Sequence, residues 1–316
     1  MPKILVCGAI NWDTTLFVER FPDPGEEVRA MKVISVPGGK AANMAVAAAR
    51  VLGGTNVSII GMLGVDSIAE SQIKILQNDG IDTSLIFRHN EMLSGQAYVI
   101  VDSKGENMIL SHQAANMAMK PEDVSRQNVL SAIYNSNTII VIDPPLDTAG
   151  SLIISARRAG KRIIWSPALL TRYGLSVVQK YAAHVDYLIL NRQEARTLTL
   201  MDDGIQACSK ISNSLGGRNN AVVVTLGDEG CVICNKEESI IIPPFDLASS
   251  PNLKIVSTVG AGDTFVGTFG AFKLKGFEDI QALYLANIAA ALKTTREDTR
   301  GSPTFEDIKS YAYEMK

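Results

Sequence analysis

The sequence predicts an α/β protein with a central, mostly parallel sheet, helices on both faces and a small β-sheet lid. Beyond residue 120, short continuous apolar runs take turns with amphipathic segments, the order expected of strands buried on both faces and joined by helical crossovers. The chain also opens on such a run. Around residues 14–37 and 94–111 the pattern changes to apolar–polar alternation, which suits a sheet with one wet face.

Taken in order, residues 3–8 read as a buried strand, and 14–19 and 28–36 as extended runs separated by the turn-rich FPDPGEE. An alanine-rich helix over 41–52 closes at Gly53-Gly54, followed by a strand at 57–61 and a helix at 67–77. The runs 94–101 and 107–111, joined by DSKGE, form a hairpin pattern. Strands are expected at 138–142, 162–165, 187–190 and 221–225, with helices at 147–159, 175–181 and 193–214. In 263–275 the apolar residues Phe265, Val266, Phe269, Phe272 and Leu274 follow helical spacing, Lys273 and Lys275 occupy the last turn, and Gly276 is a stop. From 278 onward the chain is mainly helical. The expected division is a core of 1–12, 38–92 and 113–316, and a lid of 13–37 and 93–112.

A length of 316 residues with 46% hydrophobic content supports a sizeable core. Thirty basic and 33 acidic residues give a net charge of −3, which argues against nucleic acid or an anionic membrane as partner. The N-terminal apolar run is too short for a secretory segment and stops at Asn11 and Asp13, and no apolar stretch is long enough for a bilayer span. A soluble cytoplasmic protein is expected. Cys231 and Cys234 have CxxC spacing, but no second Cys or His pair completes a tetrahedral metal site, and GCVICN reads as strand.

The most informative local feature is Gly260-Ala261-Gly262-Asp263 at the mouth of a helix. Unpaired N–H groups and the positive end of the helix dipole make such a turn an anion site, and an adjacent carboxylate can accept the proton of an attacking hydroxyl. An anion hole with a base is what phosphoryl transfer to an alcohol requires. Other nucleotide signatures fail. The turn after the first strand has one glycine, Phe265 stands at the third glycine position of a dinucleotide fingerprint, and no GxxxxGK[ST] occurs.

Four motifs in fixed order then carry a resemblance over almost the whole chain. Pro37-Gly38-Gly39-Lys40-Ala41-Ala42-Asn43 and Ser257-Thr258-Val259-Gly260-Ala261-Gly262-Asp263 resemble the two signatures of the ribokinase-like (PfkB-type) carbohydrate kinases. Asn191-Arg192-Gln193-Glu194 is similar to the NxxE motif of that family, and Thr225-Leu226-Gly227-Asp228-Glu229-Gly230 to its nucleotide loop. Asn11-Trp12-Asp13 and FPDPGE add to the match.

The resemblance implies ATP-dependent phosphorylation of a sugar hydroxymethyl group, ribose first, with Asp263 as base and Gly260, Ala261 and Gly262 as anion hole. Asn11, Asp13, Gly39, Lys40, Ala41, Ala42, Asn43 and Asp143 would hold the sugar; ribokinases usually carry glutamate at the last position. Asn191, Thr225, Leu226, Gly227, Asp228, Glu229, Gly230 and Asn287 would hold the nucleotide, and Glu194 would hold hydrated Mg²⁺. Ser257, Val259, Lys293, Arg296, Asp298 and Ser302 fall on a monovalent-cation shell. Lys293, Arg296 and Asp298 would offer main-chain carbonyls only, and Ser257 replaces the usual aspartate, so weak or absent K⁺ stimulation is expected. The resemblance further implies a homodimer through the lid. A nucleoside kinase of the same fold and a catalytically silent sugar sensor are the competing readings.

Overall fold

The computed structural model describes residues 3–216, 220–247 and 253–313. Its strands are β1 (Ile4–Gly8), β2 (Asn11–Val18), β3 (Ala30–Gly38), β4 (Val57–Gly64), β5 (Asp82–His89), β6 (Gly95–Val101), β7 (Asn107–His112), β8 (Thr138–Ile142), β9 (Arg162–Ser166), β10 (Tyr187–Asn191), β11 (Ala221–Thr225), β12 (Cys231–Cys234) and β13 (Ser239–Ile242). Among the described residues, nine of them form one sheet in the order β13-β12-β11-β10-β9-β8-β1-β4-β5. All pairings from β11 across to β5 are parallel, and β12 is antiparallel to both of its neighbours.

The continuous apolar strands are explained by burial on both sides. Ile4 and Val6 of β1 face a core shared with the helices Lys40–Leu52, Ala261–Leu274 and Asp279–Thr294. Leu5 and Cys7 point the other way, into a core with Leu146–Arg158 and Gly204–Ser214. The two-residue period of a strand divides one run between two cores.

The other four strands form a second sheet, β3-β2-β6-β7, in which β2 pairs antiparallel with β3 and parallel with β6, and β6 pairs antiparallel with β7. All six residues of β7 are exposed, and Met31, Val33, Met108, Ile109 and Leu110 form apolar surface on this sheet. It joins the core at Ala9-Ile10, where β1 passes into β2, and at Gly39, where β3 passes into a helix.

One expected helix is two. The 193–214 segment breaks into Arg192–Thr199 and Gly204–Ser214, because Leu200 takes a left-handed conformation (φ 61°) and Asp203 starts a new helix by accepting from the N–H groups of Ile205 and Gln206. β5, β13 and the short helices Pro121–Val124 and Gln127–Asn135 have no counterpart in the sequence reading. All four cysteines are free and buried. No helix among the described residues is long and apolar enough to cross a membrane.

Candidate active site

Parallel strands aim their carboxyl ends at one edge of the sheet, and loops there can converge on a ligand. Here that edge gathers Asn11 after β1, Asp143 after β8, Asn191 ending β10 and Thr225 ending β11. The backbone of Gly39 (φ 93°) lies against the β1–β2 link, where a β-carbon would come within 2.3 Å of the Asn11 nitrogen. That contact seats the start of the helix Lys40–Leu52, and Asn43 in its first turn donates from Nδ2 to Asp263 Oδ2 at 2.8 Å. Residues 220 positions apart thus meet at the expected base.

Gly260 caps the helix Ala261–Leu274 in a left-handed conformation (φ 83°), with no side-chain cap. A β-carbon there would lie 2.4 Å from the Thr299 carbonyl oxygen, so glycine is required by conformation and by space. The expected ring of donors needs one correction. The Ala261 N–H is taken by the Thr258 carbonyl at 3.2 Å, because the left-handed cap closes a turn. Among the described residues, no main-chain bond occupies the N–H groups of Gly260, Gly262 or Asp263, so the open donors run one residue further into the helix than expected.

Four carboxylates crowd this edge, and burial pushes each of them up. Asp13 is raised to about 6, by burial first and then by the charge of Asp263. Asp143, Glu194 and Asp263 are also raised by burial; Asp143 and Asp263 repel one another and Glu194, whereas Lys40 lowers all three. Lys40 Nζ lies 3.6 Å from Asp143 Oδ2, and Asp143 holds a left-handed backbone (φ 56°). Burial and neighbouring like charges both favour the protonated forms of this cluster.

Behind Asn11 and Asn43 lies a buried polar network that the sequence did not reveal. Arg300, 2% exposed, donates from Nε to Asn43 Oδ1 at 3.3 Å and from Nη2 to the Gly38 carbonyl and Gln72 Oε1, both at 2.7 Å. Gln72 donates to the Asn11 carbonyl, and Asn116 Nδ2 donates to Asn11 Oδ1 at 2.7 Å. The chain of contacts runs unbroken from Asp263 through Asn43, Arg300, Gln72 and Asn11 to Asn116. A lone arginine in DTRGSP, 228 positions from its glutamine partner, carries no local signal.

Next to the Gly260–Asp263 turn is a cavity of about 620 Å³. Ala261 and Gly262 form one end; Thr225, Gly227, Asp228, Gly230 and Asn287 line it, with apolar walls from Phe245, Leu247, Ile255, Ala290 and Ala291. Two expected members of the loop do not face it. Leu226 is buried against Gly204, and Glu229 pairs with Arg192 at 2.6 Å, so these two side chains turn away from the cavity.

Asn191 and Glu194 form a reciprocal cap. Glu194 N–H donates to Asn191 Oδ1 at 2.8 Å, and Asn191 N–H donates to Glu194 Oε2 at 3.0 Å. This fixes the Glu194 carboxylate on the same charged edge. Among the described residues no cluster of three or more His, Cys, Asp or Glu forms a ready metal cage.

The monovalent-cation shell does not fit. Lys293 points its side chain, not only its carbonyl, into this group: Nζ donates to the Ser257 and Arg296 carbonyls, each at 3.3 Å. The Asp298 carbonyl accepts from Gly301 N–H at 2.8 Å, and Ser302 Oγ pairs with Thr264 Oγ1 at 2.9 Å.

A model described as pfkB family carbohydrate kinase matches residues 1–305. The chain is 29% identical to a ribokinase of Staphylococcus aureus (strain COL), over 97% of this chain and 98% of that one. Its fold is similar to that of an Arabidopsis thaliana ribokinase solved with ribose and ATP (TM-score 0.87, 25% identity, 98% of each chain). It is also similar to a Burkholderia thailandensis nucleoside kinase solved with inosine (TM-score 0.80, 20% identity, covering 99% of this chain and 98% of that one), a likeness of fold. With a signature at each end of the cleft and the family match spanning nearly its whole length, this chain belongs to the pfkB family of carbohydrate kinases, enzymes that phosphorylate a hydroxyl group.

Proposed function

We propose that this kinase transfers the γ-phosphoryl group of ATP to the hydroxymethyl group of ribose, giving ribose 5-phosphate. The observation that carries the reading is the contact between Asn43 and Asp263 beside the open N–H groups of Gly260, Gly262 and Asp263. It joins a candidate acceptor site, a base and an anion hole at one point. Asn11, Asp13, Asn43 and Asp143 orient the sugar, and Asp263 takes the proton of the attacking hydroxyl. The main-chain donors stabilise charge on the transferred phosphoryl. The cavity beyond takes the nucleoside, with Asn287 on its adenine side. Mg²⁺, when bound near Glu194 through water, supplies neutralising charge to the phosphates.

The second sheet acts as a lid over the acceptor, excluding water that would compete with the sugar hydroxyl. Its apolar surface, with Ile109 63% and Leu110 62% exposed, suits a second copy of the chain. Light scattering that finds only monomers at working concentrations would remove the dimer.

An ATP–Mg²⁺ assay over ribose, deoxyribose, fructose, adenosine, inosine and cytidine tests the substrate. Ribose should give the highest kcat/KM. A nucleoside preferred over free ribose would reassign the acceptor, and ribose binding without ATP turnover would make the protein a sensor.

A further inference from the structure

Lys293 is fully buried, yet its charged end has a built environment. It lies in the last turn of the helix Asp279–Thr294, where the negative end of the helix dipole favours a cation. Its Nζ reaches the carbonyl oxygens of Ser257 and Arg296 at 3.3 Å each. Its Cε lies 3.5 Å from where a β-carbon on Gly260 would stand, so the ammonium stem runs directly beneath the phosphate turn. Burial pulls its proton affinity down, while the charges of Asp298 and Asp263 raise it. Two carbonyls and one charge beneath the turn describe a cation site in which the cation is covalently tethered.

We propose that the Lys293 ammonium is a resident cation under the phosphate turn, taking the place of a bound monovalent ion and making turnover independent of K⁺. The physical reason is direct. A dehydrated K⁺ sharing the Ser257 and Arg296 carbonyls with an ammonium group would repel it, and Ser257 offers no carboxylate to offset the second charge. A tethered cation also needs no binding step. It holds the 257–262 segment against the 293–296 segment and adds fixed positive potential below the anion hole, where charge builds on the phosphoryl group. Lys293 is thus a positioning and electrostatic residue acting through the turn. This role rests on the proposed phosphoryl transfer at Gly260–Asp263, but the ion specificity of the site does not.

The test separates the two. Thermal melting of the substrate-free protein in KCl is compared with tetramethylammonium chloride at equal ionic strength, for wild type, Lys293→Ala and Lys293→Met. Turnover is then measured in both salts. Wild type should show the same melting temperature and turnover in both. Lys293→Met fills the space without charge and should lose roughly tenfold in kcat, with no recovery in K⁺. Lys293→Ala opens a carbonyl-lined space and should gain a K⁺-specific rise in melting temperature together with K⁺-stimulated turnover. A K⁺-specific melting shift or rate increase in wild type would overturn the proposal. So would Lys293→Met with wild-type turnover, or Lys293→Ala with no response to K⁺. If Lys293→Ala does not fold, wild type and Lys293→Met still decide. If no acceptor is phosphorylated at all, the melting comparison still decides whether lysine fills the ion site, while the kinase reading fails separately.

Discussion

The two ends of the cleft are built on opposite principles. At the proposed acceptor end, Asn11, Asn43, Gln72, Asn116 and Arg300 lie in one polar network, with Asp263 at its edge and Asp13 within reach of the charges of Asp263 and Arg300. At the proposed nucleotide end, Phe245, Leu247, Ile255, Ala290 and Ala291 supply apolar walls between polar side chains such as Thr225, Asp228 and Asn287. Hydrogen bonds inside a protein demand geometry and punish the loss of a partner, whereas apolar walls tolerate changes that conserve shape. The acceptor end should therefore set specificity and resist substitution. The nucleotide end should set affinity and yield to it.

The largest effect expected from this contrast is at the base. Asp263→Asn should keep the fold and lose on the order of 10²–10⁴-fold in kcat. Near-normal turnover would remove Asp263 from that role and break the acceptor end as described. Next is Arg300, whose removal strands the Gly38 carbonyl, Gln72 Oε1 and Asn43 Oδ1 in the interior. Arg300→Met should cost about 3 kcal/mol of stability in urea denaturation and raise the sugar KM. If it left both unchanged, the network would be dispensable. The opposite end sharpens the comparison: Ala290→Phe narrows the cavity and should raise the ATP KM roughly tenfold while sparing the sugar KM. A change confined to the sugar KM would reverse the assignment of the two ends.

The smallest effect is electrostatic. Asp13 titrates at about 6 in the folded protein, against an ordinary 3.8, because it is buried beside Asp263. The folded state then holds a proton that the unfolded chain has lost, so this contribution is full below pH 3.8 and disappears as pH rises through about 6. Asp143, Glu194 and Asp263 are raised in the same direction. The melting temperature of the substrate-free enzyme should accordingly carry a component that falls between pH 4 and 7, smaller in Asp13→Asn. An identical pH profile in the two proteins would show that Asp13 is not strained by its neighbours. The acid limb of kcat/KM should lie above the ordinary carboxylate range, as a property of the cluster rather than of Asp263 alone.

Much of this molecule was legible in one dimension. Continuous apolar runs implied strands with two buried faces, and β1 does serve two cores. Gly260-Ala261-Gly262-Asp263 announced a helix start, and Gly260 is the left-handed cap there. The break at Leu200 was missed because helical spacing persists on both sides of a turn whose cap, Asp203, looks like any surface aspartate. The turn of Leu226 and Glu229 away from the cavity was missed because a motif does not state which side chains face inward.

By itself, then, the sequence determined the layered architecture and the glycine-capped helix start that presents Asp263, because periodicity, glycine and helix-start chemistry act over a few residues. Only the tertiary structure decided which N–H groups stay open, that Arg300 supports Asn43, and that the Lys293 ammonium meets the Ser257 and Arg296 carbonyls. Those outcomes depend on groups brought together from distant parts of the chain, and burial sets their hydrogen bonds and charge in ways no local pattern records.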